Sequence, residues 1–226
     1  MAEFEPKAPI FTERPTEFVV RDAFVLGAAP LALGGLFGVL GWETLGSLCL
    51  VLTVFVAFFF RNPPRLVPGD ARTVVAPADG RVLEAGEIEL ADGTKAVRVA
   101  IFLSVLNVHV NRVPVGGRVV SIERSGTGFR AAFDARAGTE NVRCDMTLET
   151  EKGESVVVSQ ITGLIARRIV CHPVVGEWIP GGARYGLIRF GSRTDVVLPA
   201  TAELRVAKGE TVRGGRDVIA QLPRPE

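Results

Sequence analysis

Two long apolar runs near the amino terminus constrain this chain more than anything else in it. Residues 23–41 (AFVLGAAPLALGGLFGVLG) are 19 consecutive positions without a charge, and a second run, residues 45–60 (LGSLCLVLTVFVAFFF), follows after Trp42 and Glu43. Charge returns abruptly at Arg61-Asn62-Pro63-Pro64-Arg65. A bilayer core takes about 20 apolar residues as a helix, so the first run nearly meets that length and the second falls short unless it borrows flanking residues. A secretory signal has a shorter apolar centre that starts earlier and is not followed by a second run. A buried core hairpin is the remaining soluble alternative. Lys7, Arg14 and Arg21 precede the pair, Arg61, Arg65 and Arg72 follow it, and the connection carries only Glu43. This asymmetry puts both ends on the cytoplasmic side of the cell (inner) membrane, with Trp42 at or near the far interface. Pro30 and the short second run also suit a hairpin that only dips into the bilayer. Gly27, Gly34, Gly35, Gly38 and Gly41 would let two helices approach closely. The expected organisation is a tail over 1–17, a membrane-associating helical hairpin over 18–60, and a second region from 61 to 226.

That second region has a different texture. Short β-branched runs such as residues 73–76, 96–103, 118–122, 141–148, 155–160 and 195–198 alternate with Gly- and Pro-rich turns, which predicts a mainly β fold, a barrel- or sandwich-like domain. Residues 124–140 (RSGTGFRAAFDARAGTE) read as a long loop near a site. A weak internal echo links residues 175–182 (VGEWIPGG) to 208–215 (KGETVRGG). Such glycine-flanked pieces fit tight turns between short strands and also occur in lipoyl and biotinyl carrier domains.

Composition removes several function classes. A net charge of +1 argues against a nucleic-acid partner. Cys49, Cys144 and Cys171 are scattered, without the spacing of a zinc site or a disulfide framework, so reduced thiols and no metal are expected. There are two histidines, His109 and His172.

The chemistry concentrates in residues 184–199, RYGLIRFGSRTDVVLP. Gly191 has no side chain, so its carbonyl can be approached closely, and Ser192 places a hydroxyl one peptide bond downstream of that carbonyl. Such a pair alone is an ordinary turn. By the residues alone, Asp79 before Gly80 also reads as a turn residue, and His109, in an apolar strand-like run, as a core histidine.

Taken with four further blocks in the same order, the segment resembles the short prokaryotic phosphatidylserine decarboxylases. The blocks are residues 58–68 (FFFRNPPRLVP), 76–82 (APADGRV), 101–114 (IFLSVLNVHVNRVP) and 160–171 (QITGLIARRIVC). The resemblance implies a proenzyme matured by serinolysis. Ser192 attacks the Gly191 carbonyl, and elimination and hydrolysis leave a covalent pyruvoyl group (pyruvate) at 192. Fragments 1–191 and 192–226 would remain together as a heterodimer. The group would bind the amine of a phospholipid substrate, phosphatidylserine, as a Schiff base and release CO2. The resemblance matches Asp79 to a processing aspartate and His109 to a histidine of the decarboxylation step. Where longer relatives carry a second histidine, this chain has Arg112, whose guanidinium is no base at neutral pH; His109 serving both steps is the favoured expectation. Arg112, Arg167, Arg168 and Arg193 are candidate ligands for phosphate and carboxylate, and ordinary solvated arginines are the alternative. His172 is a weaker catalytic candidate.

Two rivals remain. A membrane-tethered lipoyl- or biotinyl-like carrier fits the echo, yet neither copy has the central lysine such a carrier needs. A serine hydrolase using Ser192 lacks a G-x-S-x-G elbow.

Overall fold

The computed structural model describes residues 21–223 apart from Arg167 and Phe190. The expected tail over 1–17, residues 18–20, Lys7, Arg14 and Arg167 therefore lie outside the described residues. The apolar runs form two helices, α1 (Arg21–Val39) and α2 (Glu43–Phe59), reversed at Gly41, where φ is +76°. The helices meet at Gly34 and Gly46. A Cβ built on Gly34 would lie 3.2 Å from Cys49 Cβ, and one on Gly46 would lie 3.3 Å from the Gly34 carbonyl oxygen. Gly35 has nothing within 4 Å, and Gly46, which the sequence reading passed over, supplies the close contact. No helix among the described residues is long and apolar enough to cross a membrane. The pair nevertheless exposes large apolar side chains along its length, from Phe24 and Val25 to Val51 and Val54.

The rest is mainly β, as the alternating pattern predicts. Strands β1 (Thr73–Val75), β2 (Gly80–Glu89), β3 (Lys95–Leu103), β4 (Val110–Arg112) and β5 (Gly117–Ser125) precede the short helix α3 (Ala137–Glu140). Then come β6 (Arg143–Glu149), β7 (Ser155–Ile161), β8 (Ile169–Cys171), β9 (Trp178–Ile179), β10 (Arg184–Ile188) and β11 (Ser192–Pro199). Strands β12 (Glu203–Leu204), β13 (Thr211–Val212) and β14 (Val218–Gln221) close the chain. Eight strands form a curled half-barrel in the order β13-β2-β3-β11-β7-β6-β5-β9. Two three-stranded sheets, β4-β10-β8 and β1-β14-β12, complete the fold. The alternate residues Val196, Leu198, Val156, Val158, Val99, Ile101, Met146 and Leu148 point inward and make one core.

The echo extends into a pseudo-twofold relation. Its two copies are the edge strands β9 and β13, at opposite ends of the large sheet. Gly176 N–H donates to Val119 O and Val119 N–H to Glu177 O; in the other half, Gly209 donates to Val82 and Val82 to Glu210. Arg118 caps the Gly176 carbonyl as Arg81 caps that of Gly209. Across the dyad, Val75 N–H bonds Pro114 O while Arg112 N–H bonds Pro77 O. Residues 76–82 (APADGRV) therefore correspond to 113–119 (VPVGGRV), and Asp79 occupies the position of Gly116. The repeat serves architecture, forming sheet edges where a carrier would present a lysine-bearing tip.

The hairpin is anchored on this scaffold at one place. Phe59 and Phe60, at the base of α2, pack with Ala23 against Val108, Val110 and Leu187 of the β4-β10 face.

Candidate active site

Ser192 opens β11 at the end of the large sheet, opposite Leu103, the last residue of β3. The cross-strand row Arg81–Phe102–Arg193 fixes β2, β3 and β11 side by side. Gly80 and Ser192 thus begin their strands at the same sheet end, two strand spacings or roughly 10 Å apart. Ser192 is fully buried and its Oγ has no hydrogen-bond partner. Gly191 has φ +58°, a left-handed conformation that favours glycine. Its carbonyl lies directly against Gly163: a Cβ on Gly163 would fall 2.2 Å from Gly191 O. Gly163 is held in turn by its neighbour Thr162, whose N–H and hydroxyl both donate to Val142 O and whose carbonyl accepts from buried Asn141 Nδ2. Asn141 also binds Arg130 through N–H and C=O, which folds the 126–140 loop against this point and brings Ala132 beside Gly163. The loop expected near a site is near it.

His109 precedes β4 and is almost completely buried. Its ring stacks on Phe59, with centroids 4.0 Å apart at 29°. Nδ1 lies 3.0 Å from Asn107 O, and since a carbonyl only accepts, Nδ1 carries the proton. Nε2 is left with a lone pair and no partner. Burial drives the imidazole pKa down to about 4, the Asn107 bond pulling it partly back and the nearby Arg61 charge lowering it further. His109 is therefore neutral at pH 7. Arg61 itself donates to Phe58 O at 2.8 Å and Leu106 O at 2.7 Å, and lies 3.9 Å over the Phe58 ring.

Asp79 is placed at the same sheet end but holds neither Ser192 nor His109. Both its oxygens accept from Arg65, at 3.2 and 2.8 Å, and Oδ1 also accepts from Gly214 N–H at 2.8 Å. Arg112 is buried against the Arg61–Pro64 segment, donating to Gly182 O, Asn62 Oδ1 and Pro63 O. Arg193 lies on the face of β11 opposite Ser192, bidentate to Asp195 at 2.6 and 2.7 Å and covered by Gly138 of α3. Both arginines are thus engaged within the protein. Arg168 and His172 are exposed.

Three residues that the sequence reading did not single out lie inside the half-barrel by Ser192. Thr194 is two positions along β11, on the same face, and is paired across the ladder with Gln160. Gln160 Nε2 donates to Asn111 Oδ1 at 2.8 Å and to Val170 O at 3.1 Å. All three have zero exposure. They sat within the quoted sequence blocks, but nothing in their spacing separated them from strand residues.

The comparisons with known proteins agree with one another. The family model for phosphatidylserine decarboxylase matches residues 52–220. A phosphatidylserine decarboxylase proenzyme of Geotalea uraniireducens is 48% identical over 185 residues, 81% of this chain and 87% of that protein. Its counterpart in Symbiobacterium thermophilum is 44% identical over 208 residues, 91% of this chain and 96% of the relative. That of Wolbachia pipientis is 42% identical over 183 residues, covering 78% and 80%. No solved structure matches the chain.

Proposed function

Because the chain belongs to the phosphatidylserine decarboxylase family, we propose that it is a precursor that cuts itself between Gly191 and Ser192 and acts as a pyruvoyl-dependent lyase, converting phosphatidylserine to phosphatidylethanolamine and CO2. One observation carries this reading. The Gly191 carbonyl is clamped against Gly163 in a left-handed glycine conformation, while the hydroxyl one residue on is buried and uncommitted.

For cleavage, the Ser192 hydroxyl gives up its proton and Oγ bonds to the Gly191 carbonyl carbon. The C–N bond then breaks and the freed amine takes a proton, leaving an ester. A serine hydroxyl needs a base to do this. His109 Nε2 has its lone pair free over the physiological pH range, which supports it as that base. Elimination across Cα–Cβ of residue 192 expels the Gly191 carboxylate and ends the first fragment there.

A terminal keto group fits the place where Ser192 stands, since an unpartnered buried hydroxyl and an unpartnered imidazole nitrogen already converge on that sheet end. Such a group supplies an electron sink for the pair released when the serine carboxylate departs. His109 then has the reverse task of delivering a proton to the substrate's α carbon, and its burial under Phe59 excludes water from that transfer. Arg61, which bridges the hairpin base and Leu106, is the favoured partner for a headgroup anion; Arg112 and Arg193 are already engaged.

The fragments 1–191 and 192–226 stay together by construction. β11 lies between β3 and β7 with pairings along its length, and β14 pairs β1. The apolar hairpin supports attachment to the cell (inner) membrane with the β domain on the cytoplasmic side. Its docking beside His109 puts the site where a diacyl lipid is held.

Denaturing gels and intact mass test the reading. The purified protein should show two pieces, the smaller starting at residue 192 with a blocked amino terminus. Ser192→Ala should stay in one piece and inactive; an uncut wild-type chain that still releases CO2 from the lipid would overturn the proposal.

A further inference from the structure

Beside Ser192, four buried polar atoms lack a partner: Ser192 Oγ, Thr194 Oγ1, Gln160 Oε1 and Asn111 Nδ2. They are contiguous. Ser192 and Thr194 share the inner face of β11, Thr194 pairs with Gln160, and Gln160 binds Asn111. Below them the interior is apolar, with Ile101 opposite Thr194 and then Val196 and Val158.

The orientation of both amides is fixed from the backbone. Val170 O can only accept, so the Gln160 group 3.1 Å from it is the amino group. That same amino group lies 2.8 Å from Asn111, which must therefore present its carbonyl. Turning either amide over would set acceptor against acceptor or donor against donor. One free acceptor, one free amide donor and the Thr194 hydroxyl are left, the complement of a molecule with two donors and two acceptors.

We infer that Asn111, Gln160 and Thr194 form a binding site for a single water molecule beside Ser192, and that this water is the nucleophile of the last step of self-maturation. The inference rests on the self-cleavage reading. After elimination, residue 192 is an enamine, which takes a proton on its terminal carbon to become an imine. Water adds to the imine carbon, forming a C–O bond as the C=N electron pair moves to nitrogen, which is protonated. Loss of the second water proton restores a C=O bond as the C–N bond breaks and ammonia leaves. Residue 192 has no exposure, so a resident water in this pocket reaches the imine where bulk water does not.

The test follows full-length protein made by cell-free synthesis, quenched at intervals with sodium borohydride before denaturation. Borohydride turns an imine terminus into alanyl, which Edman degradation reads from residue 192. It turns a keto terminus into lactyl, which is blocked and differs in mass by exchange of NH for O. Wild type should pass to the lactyl form with only a trace of alanyl. Thr194→Val and Asn111→Leu should cut and then hold the alanyl form roughly tenfold longer, and Thr194→Ser, which restores the hydroxyl, should return to the wild-type course. Folding is read by cleavage itself, so if Asn111→Leu does not cut, Thr194→Val against Thr194→Ser decides. Variants that cut and turn lactyl as fast as wild type overturn the water site. So does failure of all three to cut, which would place the cluster earlier in the reaction. A wild-type chain that never cuts removes the self-cleavage reading itself, a result distinct from either.

Discussion

Phe59, the last residue of α2, stacks on His109 with ring centroids 4.0 Å apart, so the apolar hairpin supplies one wall of the site. Phe59 has zero exposure and joins the hairpin to Val108, Val110 and Leu187. Phe59→Ala should cost about 3–5 kcal/mol, as other cavity-forming Phe truncations do. It should also let water reach the imidazole and raise its pKa from about 4 towards 6.5. Proton NMR titration of the His109 ring measures the second effect. An unmoved pKa would mean that Phe59 is packing alone.

The depressed His109 pKa has a definite sign for stability. Between pH 6.5 and about 4 the unfolded chain binds the proton and the folded chain resists it. Stability is therefore retained above pH 6.5 and lost as pH falls through that window, by at most about 1.4 kcal/mol per unit. Above the window the Nε2 lone pair stays available. Self-cleavage followed after cell-free synthesis should be nearly flat from about pH 6 to pH 8. A half-maximal rate near pH 6.5 would exclude a buried neutral histidine as the base.

Gly163 offers a sharper test because the demand on it is steric. A methyl there would meet the Gly191 carbonyl oxygen at 2.2 Å, far inside contact distance, and Ala132 Cβ at 3.3 Å. Gly163→Ala must displace the carbonyl that Ser192 attacks. We expect precursor to accumulate, with cleavage slowed at least about a hundredfold, the scale on which small misplacements of reacting groups act. Wild-type cleavage in this variant would show that the clamp on Gly191 does not matter.

The sequence made some of this legible and hid the rest for physical reasons. The two apolar runs and the period-two strands appear as α1, α2 and the curled sheet because burial dictates both patterns. The placement of Ser192 at a strand start and the approach of the 124–140 loop followed from Gly191 and from loop composition. Contacts that cross the chain were not legible. Arg65 with Asp79, Phe59 with His109, and Gln160 with Asn111 and Thr194 lie 14 to 50 positions apart or in separate sheets. Arg193 read as a substrate ligand because arginine suits phosphate, yet strand alternation turns it away from Ser192 and onto Asp195. Only the first half of the pseudo-dyad's signature, the edge strands, was visible as an echo.

The dyad also separates the structural from the chemical part of Asp79. Its equivalent in the other half is Gly116, which faces Gly181 much as Asp79 faces Gly214. The same turn is thus built twice in one chain, once without a carboxylate, and the fold does not require one. Asp79→Gly should therefore fold, losing about 1–3 kcal/mol with the charge-assisted bonds to Arg65 and Gly214 N–H, since Arg65 can turn to solvent. If Asp79 has a task in maturation, the folded variant should remain a single uncut chain, and Asp79→Asn, which keeps an acceptor for Gly214, should not restore cutting. Thermal unfolding and a denaturing gel on the same sample give both answers. A folded Asp79→Gly that cuts at the wild-type rate would reduce Asp79 to an anchor for Arg65, and an unfolded one would show that the two halves of the dyad are not interchangeable at this turn.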